Sequence, residues 1–207
     1  TSLENILASE SSLCYDYEYD RIISFGELIS TTIISDYLNM EGIENQFIDI
    51  RKFLKTDQNY RNANIDLELS EQLCKDAFDF NTSSLFVTQG FIAGTRTNQT
   101  TTLGREGSDY TAALLANLLN AEDVTIWKDV PGVMNADPKE YENAQVISRM
   151  SYKEAIELSH FGAKVIHPKT IKPIQNKQIP LYVKSFLHPE YKGTVIQEID
   201  EHLTLPP

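Results

Sequence analysis

Apolar residues recur along this chain at two spacings, one typical of amphipathic helices and one typical of short buried strands. Helices and strands alternate along most of its length. This alternation predicts an α/β fold in which a mainly parallel sheet carries helices on both faces. The predicted helices span residues 28–40, 66–78, 110–119 and 151–159, with a shorter one from residue 168, and the predicted strands span 46–50, 85–88, 123–127, 179–183 and 193–196.

Local signals mark the ends of several of these elements. Gly42 follows the first helix, where a left-handed residue is expected. Ser151 and Glu154 form a capping box, and a proline opens the last short helix. Two segments lack any clear period. The acidic, tyrosine-rich residues 15–20 predict an exposed connection, and the polar residues 93–102 predict an irregular loop.

The composition is that of a globular protein. With 207 residues and 41% hydrophobic content, the chain can bury a core in one large domain or two small ones. Its net charge of −12 argues against a broad nucleic-acid or membrane surface, and no apolar run approaches the ~20 residues of a membrane span. Cys14 and Cys74 lack metal-ligand spacing, so we expect buried, reduced thiols in a cytoplasmic protein. Because neither an initiator Met nor a signal-peptide pattern is present, we expect an N-terminal segment to be missing.

Candidate functional groups are densest in residues 100–110, TTTLGREGSDY. Here hydroxyls, glycines, an arginine and a carboxylate precede a predicted helix. Gly104 and Gly107 allow a tight turn that brings backbone N–H groups against a ligand. Ser108 is expected to cap the helix, and a helix N-terminus attracts anions. We therefore interpret the loop as an anion site. The alternative interpretation is a glycine-rich surface turn before a core helix.

Other features narrow the kind of anion. The chain contains neither G-x-G-x-x-G nor G-x-x-x-x-G-K-[ST], and its His and Cys residues show no metal-ligand spacing. Arg105, Lys128 and Lys164 each lie beside a glycine or at a strand end in an otherwise acidic chain. Taken singly, each lysine is more often a solvated surface charge. Together with Asp109 and Asp129, these cations suit phosphoryl transfer, which depends mainly on positioning and positive charge.

Five motifs, in order and in register between about residues 22 and 196, resemble those of the aspartokinase family. They are SFGE (24–27), FVTQGF (86–91), TTTLGREGSD (100–109), WKDVPG (127–132) and FGAKVIHP (161–168). The resemblance implies the amino-acid kinase fold, a three-layer αβα sandwich of the carbamate kinase-like type. It also implies that ATP and Mg²⁺ are used to phosphorylate the β-carboxylate of L-aspartate, the first step towards lysine, threonine and methionine.

The resemblance also implies roles for individual residues. Glu27 matches the carboxylate that receives the α-ammonium group of the substrate, and Arg105 matches the guanidinium that grips a substrate carboxylate. Ser108 and Asp109 match the pair that opens the helix beside the transferred phosphoryl group. The matched nucleotide-binding positions are Lys128, Asp129, Met134, Lys139, Lys164 and Val165, of which Met134 and Lys139 stand where many relatives carry Tyr and Arg.

The chain departs from the family pattern in further respects. Glu106 stands where many members have glycine. The N-terminal Lys-Phe-Gly-Gly-Thr-Ser segment and the C-terminal ACT regulatory domains have no counterpart, so residues 1–207 are expected to be a partial catalytic domain that is inactive alone. The complete protein is expected to be a homo-oligomer. Two alternatives stay open: an amino-acid kinase with a different acceptor, and a non-catalytic pseudo-kinase.

Overall fold

The computed structural model describes residues 3–4, 8, 14–160 and 166–199. The chain divides into two compact units, Thr1–Thr111 and Ala112–Pro207. Helix α3 (Gly107–Leu119) begins in the first unit and continues into the second. The other elements described in the first unit are helices α1 (Tyr15–Met40) and α2 (Leu67–Ala77), a 3₁₀ turn (Ile50–Lys52), and strands β1 (Gln46–Ile48), β2 (Lys55–Thr56), β3 (Phe86–Thr88), β4 (Ile92–Thr95) and β5 (Thr100–Thr102).

Two small sheets organise the first unit. Strands β1 and β3 pair in parallel, with Phe47 opposite Val87. In the other sheet the order is β2-β4-β5, where β2 runs parallel and β5 antiparallel to β4. The irregular loop predicted for residues 93–102 was wrong, because β4 and β5 form a hairpin. Apart from Ile92, their residues are small or polar, so no apolar alternation marks them as strands.

The observed start of helix α1 differs from the sequence prediction, whereas its end agrees with it. It begins at Tyr15, so residues 15–20 are helical rather than an exposed connection. The buried residues of this helix are Asp20, Ser24 and Ser35, whereas isoleucines such as Ile33 are exposed. A helix that buries polar side chains does not show the usual apolar stripe. The predicted end is confirmed, since Gly42 follows the helix with φ of 80°.

The remaining predicted elements are largely confirmed. Helix α2 begins after Asp66, whose carboxylate accepts a hydrogen bond from the Leu69 N–H group at 3.2 Å. In the second unit the structure has strands β6 (Val124–Lys128), β7 (Arg149–Met150), β8 (Leu181–Ser185) and β9 (Thr194–Ile196) and helices α4 (Tyr152–His160) and α5 (Pro168–Gln175). Strand β7 was not predicted, because a strand of two residues is too short to show an apolar period.

A four-stranded sheet in the order β6-β8-β9-β7 organises the second unit. Strand β6 runs parallel to β8, β7 runs parallel to β9, and β8 runs antiparallel to β9. Among the described strands of both units, parallel pairs outnumber antiparallel pairs. The α/β class with mainly parallel pairing is therefore confirmed.

The predicted capping box starts helix α4. The Ser151 N–H group donates to Glu154 Oε2 at 2.7 Å, and the Glu154 N–H group donates to Ser151 Oγ at 3.1 Å. The next residue, Tyr152, is 1% exposed, and its hydroxyl donates to the Ile179 carbonyl oxygen at 2.7 Å. Burial raises the pKa of Tyr152 to about 12. Tyr152 is thus a polar residue in an otherwise apolar core that includes Leu181.

The two cysteines differ. Cys74 is a buried free thiol, as expected, and burial raises its pKa to about 12. Cys14 forms no disulfide bond either but is exposed, so the expectation of a buried Cys14 was wrong. It precedes the first residue of α1 rather than lying in a core. No helix within the described ranges has the length and apolar character needed to cross a membrane.

Candidate active site

The predicted anion-binding loop lies between strand β5 and helix α3. The Leu103 N–H group donates to the Phe91 carbonyl oxygen at 2.9 Å, and the Gly107 N–H group donates to the Gly104 carbonyl oxygen at 3.1 Å. Gly104 has φ of 78°, a left-handed conformation that favours glycine. A Cβ atom there would lie 2.8 Å from Asn62 Oδ1, so the loop also packs closely on the Arg61–Asn62 turn.

The start of helix α3 differs from the prediction by a small shift. The helix begins at Gly107, and the Glu106 carbonyl oxygen accepts a hydrogen bond from the Tyr110 N–H group at 3.1 Å. Ser108 therefore lies in the first turn, and the prediction that it caps the helix was wrong. Ser108 is exposed and Asp109 is half-buried. Both residues still lie at a helix N-terminus, where N–H groups and the helix dipole favour an anion.

Glu106 has an unusual environment for a residue just before a helix. Its φ is 53°, a left-handed conformation that side chains with a Cβ rarely adopt. Its Oε2 atom is buried and has no hydrogen-bond partner within the described part of the chain. Glu106, which stands where many family members have glycine, thus has a strained backbone and a carboxylate oxygen that lacks a hydrogen bond within the described residues.

The turn after strand β3 packs directly against the start of helix α3. A Cβ atom on Gly90 would lie 2.8 Å from Ser108 Cα, so only glycine fits there. The Phe91 N–H group donates to Thr111 Oγ1 at 3.0 Å, and Thr111 Oγ1 donates to the Gly107 carbonyl oxygen at 2.9 Å. These contacts hold the first turn of α3 beside the carboxyl end of β3.

Helix α1, which carries Glu27, is bonded to the same region. The Glu27 carbonyl oxygen accepts a hydrogen bond from Thr31 Oγ1 at 2.6 Å, and Thr31 Oγ1 accepts one from Gln89 Nε2 at 2.9 Å. Gln89 is 1% exposed and directly precedes Gly90, and its Oε1 atom accepts from the Ile50 N–H group at 3.0 Å. The helix that carries Glu27 is therefore tied to the turn that touches Ser108.

The environment of Glu27 affects its ionisation. The side chain is half-buried, and desolvation raises its pKa because water no longer fully stabilises the charged form. Arg105 is exposed at the tip of the loop after β5. Four of the predicted residues, Glu27, Arg105, Ser108 and Asp109, thus lie on elements that meet at the carboxyl end of β3.

The predicted nucleotide-binding residues that the structure describes lie in the second unit. Lys128 is the last residue of β6, and Asp129 follows in an exposed turn. Trp127 is 49% exposed, and Lys184 Nζ lies 5.9 Å from the centre of its ring and 5.5 Å from that of Tyr182. Sequence reasoning missed this aromatic surface with its cation. The signal was alternation, since β6 buries Val124 and Ile126, which leaves Trp127 on the same strand outside the core.

The remaining predicted nucleotide-binding residues are Met134, Lys139, Lys164 and Val165. Met134 is half-buried and forms an isolated antiparallel bridge with Val146. Lys139 is exposed, and its N–H group donates to Asp137 Oδ1 at 2.9 Å. Lys164 and Val165 lie outside the described residues. In the ranges that are described, no group of three or more His, Cys, Asp or Glu side chains is placed to hold a metal ion.

Sequence reasoning also missed two buried charged residues of the first unit. Asp20 is fully buried, and Lys55 is 6% exposed. Lys55 Nζ donates to the Arg51 carbonyl oxygen at 3.0 Å, the Thr95 carbonyl oxygen at 3.4 Å and Asn98 Oδ1 at 3.3 Å. Burial lowers the pKa of Lys55, and the charge of Asp49 partly opposes this. No local pattern marks such residues, because their partners come from other elements.

These features describe an α/β protein in which a helix N-terminus and the half-buried Glu27 lie on elements that meet at the carboxyl end of β3. Residues 4–185 match the model of the amino acid kinase family, and the chain belongs to this family.

Two of the similar curated proteins are aspartokinases. The chain is 40% identical over 178 residues to lysine-sensitive aspartokinase 3 of Escherichia coli (strain K12), in an alignment that covers 86% of this chain and 40% of that protein. It is 35% identical over 192 residues to the aspartokinase of Chlamydia pneumoniae, with coverage of 93% and 43%. The chain therefore spans about two fifths of the length of these relatives.

Solved structures agree with this result. The crystal structure of E. coli aspartokinase III in complex with aspartate and ADP (R-state) matches with a TM-score of 0.89 and 35% identity, covering 97% of this chain and 45% of that one. Clostridium acetobutylicum aspartate kinase matches with a TM-score of 0.76 and 32% identity, covering 92% and 40%. UMP kinase from Bacillus anthracis, at 15% identity, covers 89% of this chain and 69% of its own with a TM-score of 0.57, and shares the fold alone.

Proposed function

We propose that this chain is part of the catalytic domain of an aspartate kinase, which transfers the terminal phosphoryl group of MgATP to the β-carboxylate of L-aspartate. Membership of the amino acid kinase family and similarity to two aspartokinases support this proposal. The similarity to a structure solved with aspartate and ADP supports the choice of substrates. By the family resemblance, the complete protein is a cytoplasmic homo-oligomer in which residues 1–207 form a partial catalytic domain.

The observation that carries the proposal is the environment of Glu27. Burial raises its pKa, and a ligand ammonium group beside it would favour the charged form again. Arg105, exposed on the adjoining loop, offers a fork of N–H donors that suits a carboxylate. An anion and a cation held by connected elements fit a small zwitterion with an additional carboxylate, which is the chemical description of aspartate.

The first turn of helix α3 fits the transfer step. Phosphoryl transfer asks the protein for positioning and for stabilisation of charge on the moving group. We assign this role to the helix N-terminus with Ser108, and we assign Asp109 to organising a lysine or the Mg²⁺ that accompanies ATP. The contact between Gly90 and Ser108 supports the assignment, because it fixes the helix start against the turn connected to Glu27.

We assign nucleotide binding to the second unit. Lys128 and Asp129 follow strand β6 beside the exposed ring of Trp127, and an aromatic face with a nearby cation suits a flat base. Met134, Lys139, Lys164 and Val165 complete the proposed set by the family resemblance. Mg²⁺ would enter with ATP as part of the nucleotide substrate.

The experiment is a kinetic comparison of variants in the longest chain that the gene encodes. Arg105→Ala is expected to lower kcat/KM for aspartate by at least ~100-fold, because a charged contact with the substrate is lost, with little change in the KM for ATP. The matched control is Arg96→Ala. Arg96 is an exposed arginine of the same unit that pairs with Asp66, so its loss should leave both constants nearly unchanged. A hydroxamate assay for the acyl phosphate product measures the rates.

A second variant tests the ammonium contact directly. Glu27→Gln should weaken the binding of aspartate more than that of succinate, which lacks the ammonium group. Equal weakening of both ligands would contradict the role of Glu27. An unchanged KM for aspartate in Arg105→Ala, or turnover with a different acceptor alone, would contradict the proposed substrate.

A further inference from the structure

Asp20 is fully buried in the first unit, on the first turns of helix α1. Its carboxylate accepts three hydrogen bonds from two other segments. Oδ2 accepts from the Thr102 N–H group and from the Arg61 N–H group, each at 2.8 Å, and Oδ1 accepts from Thr102 Oγ1 at 2.7 Å. A buried carboxylate is costly to desolvate, so three good donors are needed to hold it there.

Thr102 is the last residue of strand β5 and lies three positions before Arg105. Its N–H and hydroxyl groups both donate to Asp20, and its carbonyl oxygen accepts from the Ala63 N–H group at 2.9 Å. Every polar group of Thr102 is therefore engaged. The strand end from which the Arg105 loop departs is thus fixed by Asp20 and by the segment around residues 61–63.

The Arg61 turn supports the other side of the same loop. Arg61 has φ of 66°, which is uncommon for a residue with a Cβ, and its N–H group is held by Asp20. Its guanidinium lies 4.7 Å from the centre of the Tyr19 ring and 3.2 Å from Asp16 Oδ1, both on α1. The Arg61 carbonyl oxygen would lie 3.2 Å from a Cβ atom on Gly104, so this turn and the loop are in close contact.

Asp20 also shares a helix face with Glu27. Seven residues make about two turns of an α-helix, so the two side chains lie on the same face about 10 Å apart along the axis. Resting on the roles proposed above for Glu27 and Arg105, we propose that Asp20 is a positioning residue. It fixes the Arg105 loop in register with the helix that carries Glu27 and thereby sets the spacing between the two groups that bind the substrate.

The test uses Asp20→Ala and Asp20→Asn in the longest chain that the gene encodes. Alanine removes both acceptor oxygens and with them all three hydrogen bonds. Asparagine keeps one oxygen for the two N–H donors, and its amide can donate to the Thr102 hydroxyl, so it should largely rescue the geometry. We expect Asp20→Ala to raise the KM for aspartate by ~10-fold or more, with the KM for ATP changed by less than ~2-fold, and Asp20→Asn to stay within ~3-fold of the unchanged protein.

Ser35→Ala is the matched control. Ser35 is buried on the same helix, 3% exposed, and donates to Asn45 Oδ1 at 2.6 Å, away from the Arg105 loop. It should cost stability without changing the KM for aspartate. Thr102→Val provides a milder disruption should Asp20→Ala fail to fold, since it removes a single donor to Asp20. We expect it to raise the KM for aspartate by ~3-fold.

A readout without substrate separates this inference from the proposed function. Amide hydrogen exchange of residues 102–107 should speed up in Asp20→Ala but not in Ser35→Ala, because only the former releases the loop. Unchanged exchange in this segment would overturn the inference. Equal rises in the KM for aspartate and for ATP would also overturn it. Faster exchange with an unchanged KM for aspartate would leave Asp20 as the residue that holds the loop and would contradict the substrate role of Arg105.

Discussion

Both units bury apolar side chains, but the described part of the first unit also buries many more polar ones. In the described part of the first unit, buried polar groups connect most of the elements; they include Asp20, Lys55, Gln89, Thr101 and Thr102. In the described part of the second unit the buried polar side chains are Thr170, Ser185 and Thr194, and the core is a single apolar cluster with Tyr152 in it. Apolar packing is non-directional, whereas hydrogen bonds require specific distances and angles.

This difference relates to what each unit has to hold in place. The proposed substrate groups of the first unit lie on a helix and a loop that the Asp20–Thr102 hydrogen bonds connect, so directional bonds set their register. The second unit presents the end of strand β6, and an apolar core behind a sheet is enough to hold a strand. We therefore expect core changes in the second unit to affect stability alone, and changes in the polar network of the first unit to affect substrate binding as well.

The largest stability effect is expected in the apolar core. Leu181 is fully buried on β8, opposite Val124 on one side and Ile196 on the other. Leu181→Ala should lower the free energy of unfolding by about 3 kcal/mol, since it removes buried methyl groups and leaves a cavity. Chemical denaturation measures this change. The KM for aspartate should stay unchanged.

An exposed leucine of the same unit is the control for that experiment. Leu187 is 60% exposed, and Leu187→Ala should change the free energy of unfolding by less than about 0.5 kcal/mol. If Leu181→Ala raised the KM for aspartate as much as it lowered stability, the contrast between the units would be wrong.

A smaller stability loss with a functional effect is expected at Gln89. Its side chain bonds the Ile50 N–H group and Thr31, so Gln89→Ala leaves a buried donor without a partner. We expect a loss of about 2 kcal/mol in the free energy of unfolding. The KM for aspartate should rise at the same time, because the helix that carries Glu27 loses its link to the Gly90 turn. Denaturation and steady-state kinetics on the same preparation measure both effects.

Gln58→Ala serves as its control, since Gln58 is exposed in the same unit and bonds Gln99 at 3.0 Å. It should change neither quantity appreciably. A Gln89→Ala variant that lost stability but kept its KM for aspartate would reduce the polar network to a purely structural role.

The smallest effect is expected at the polar residue of the apolar core. Tyr152→Phe removes the hydrogen bond to the Ile179 carbonyl oxygen and should cost about 1 kcal/mol near neutral pH. The sign of the pH dependence follows from its pKa, which burial raises from 10.0 to about 12. Between these values the unfolded phenol loses its proton while the folded one keeps it, so this contribution to stability is lost as pH rises.

Thermal unfolding of the unchanged protein and of Tyr152→Phe between pH 8 and pH 12 provides the measurement. The difference in stability between the two proteins isolates the contribution of Tyr152 from that of the other tyrosines. The lower stability of Tyr152→Phe relative to the unchanged protein should become less pronounced above about pH 10. A constant difference across this range would contradict the raised pKa of Tyr152.

The sequence alone determined the elements whose signals are local. The apolar spacing predicted α2 and α3, the capping box at Ser151 and Glu154 predicted the start of α4, and short apolar runs predicted most strands. Each of these signals lies within a few residues of the structure that it forms. The five motifs, through their resemblance to aspartokinases, also indicated the amino acid kinase family that residues 4–185 match. The roles of Glu27, Arg105, Ser108, Asp109 and the nucleotide-binding residues stay predictions.

Tertiary structure alone decided the features that depend on distant partners. Asp20 meets Thr102 across 82 positions of the chain, and Gln89 meets Ile50 across 39. A residue whose partner is so far away leaves no periodic trace in its neighbourhood, which is why residues 15–20 resembled an exposed connection. The β4–β5 hairpin, with little apolar alternation, was missed for a similar reason, since its hydrogen bonds become visible only once the strands pair. Periodicity reports which face of an element is apolar, and the register between elements is set by hydrogen bonds and close contacts that form only in the folded chain.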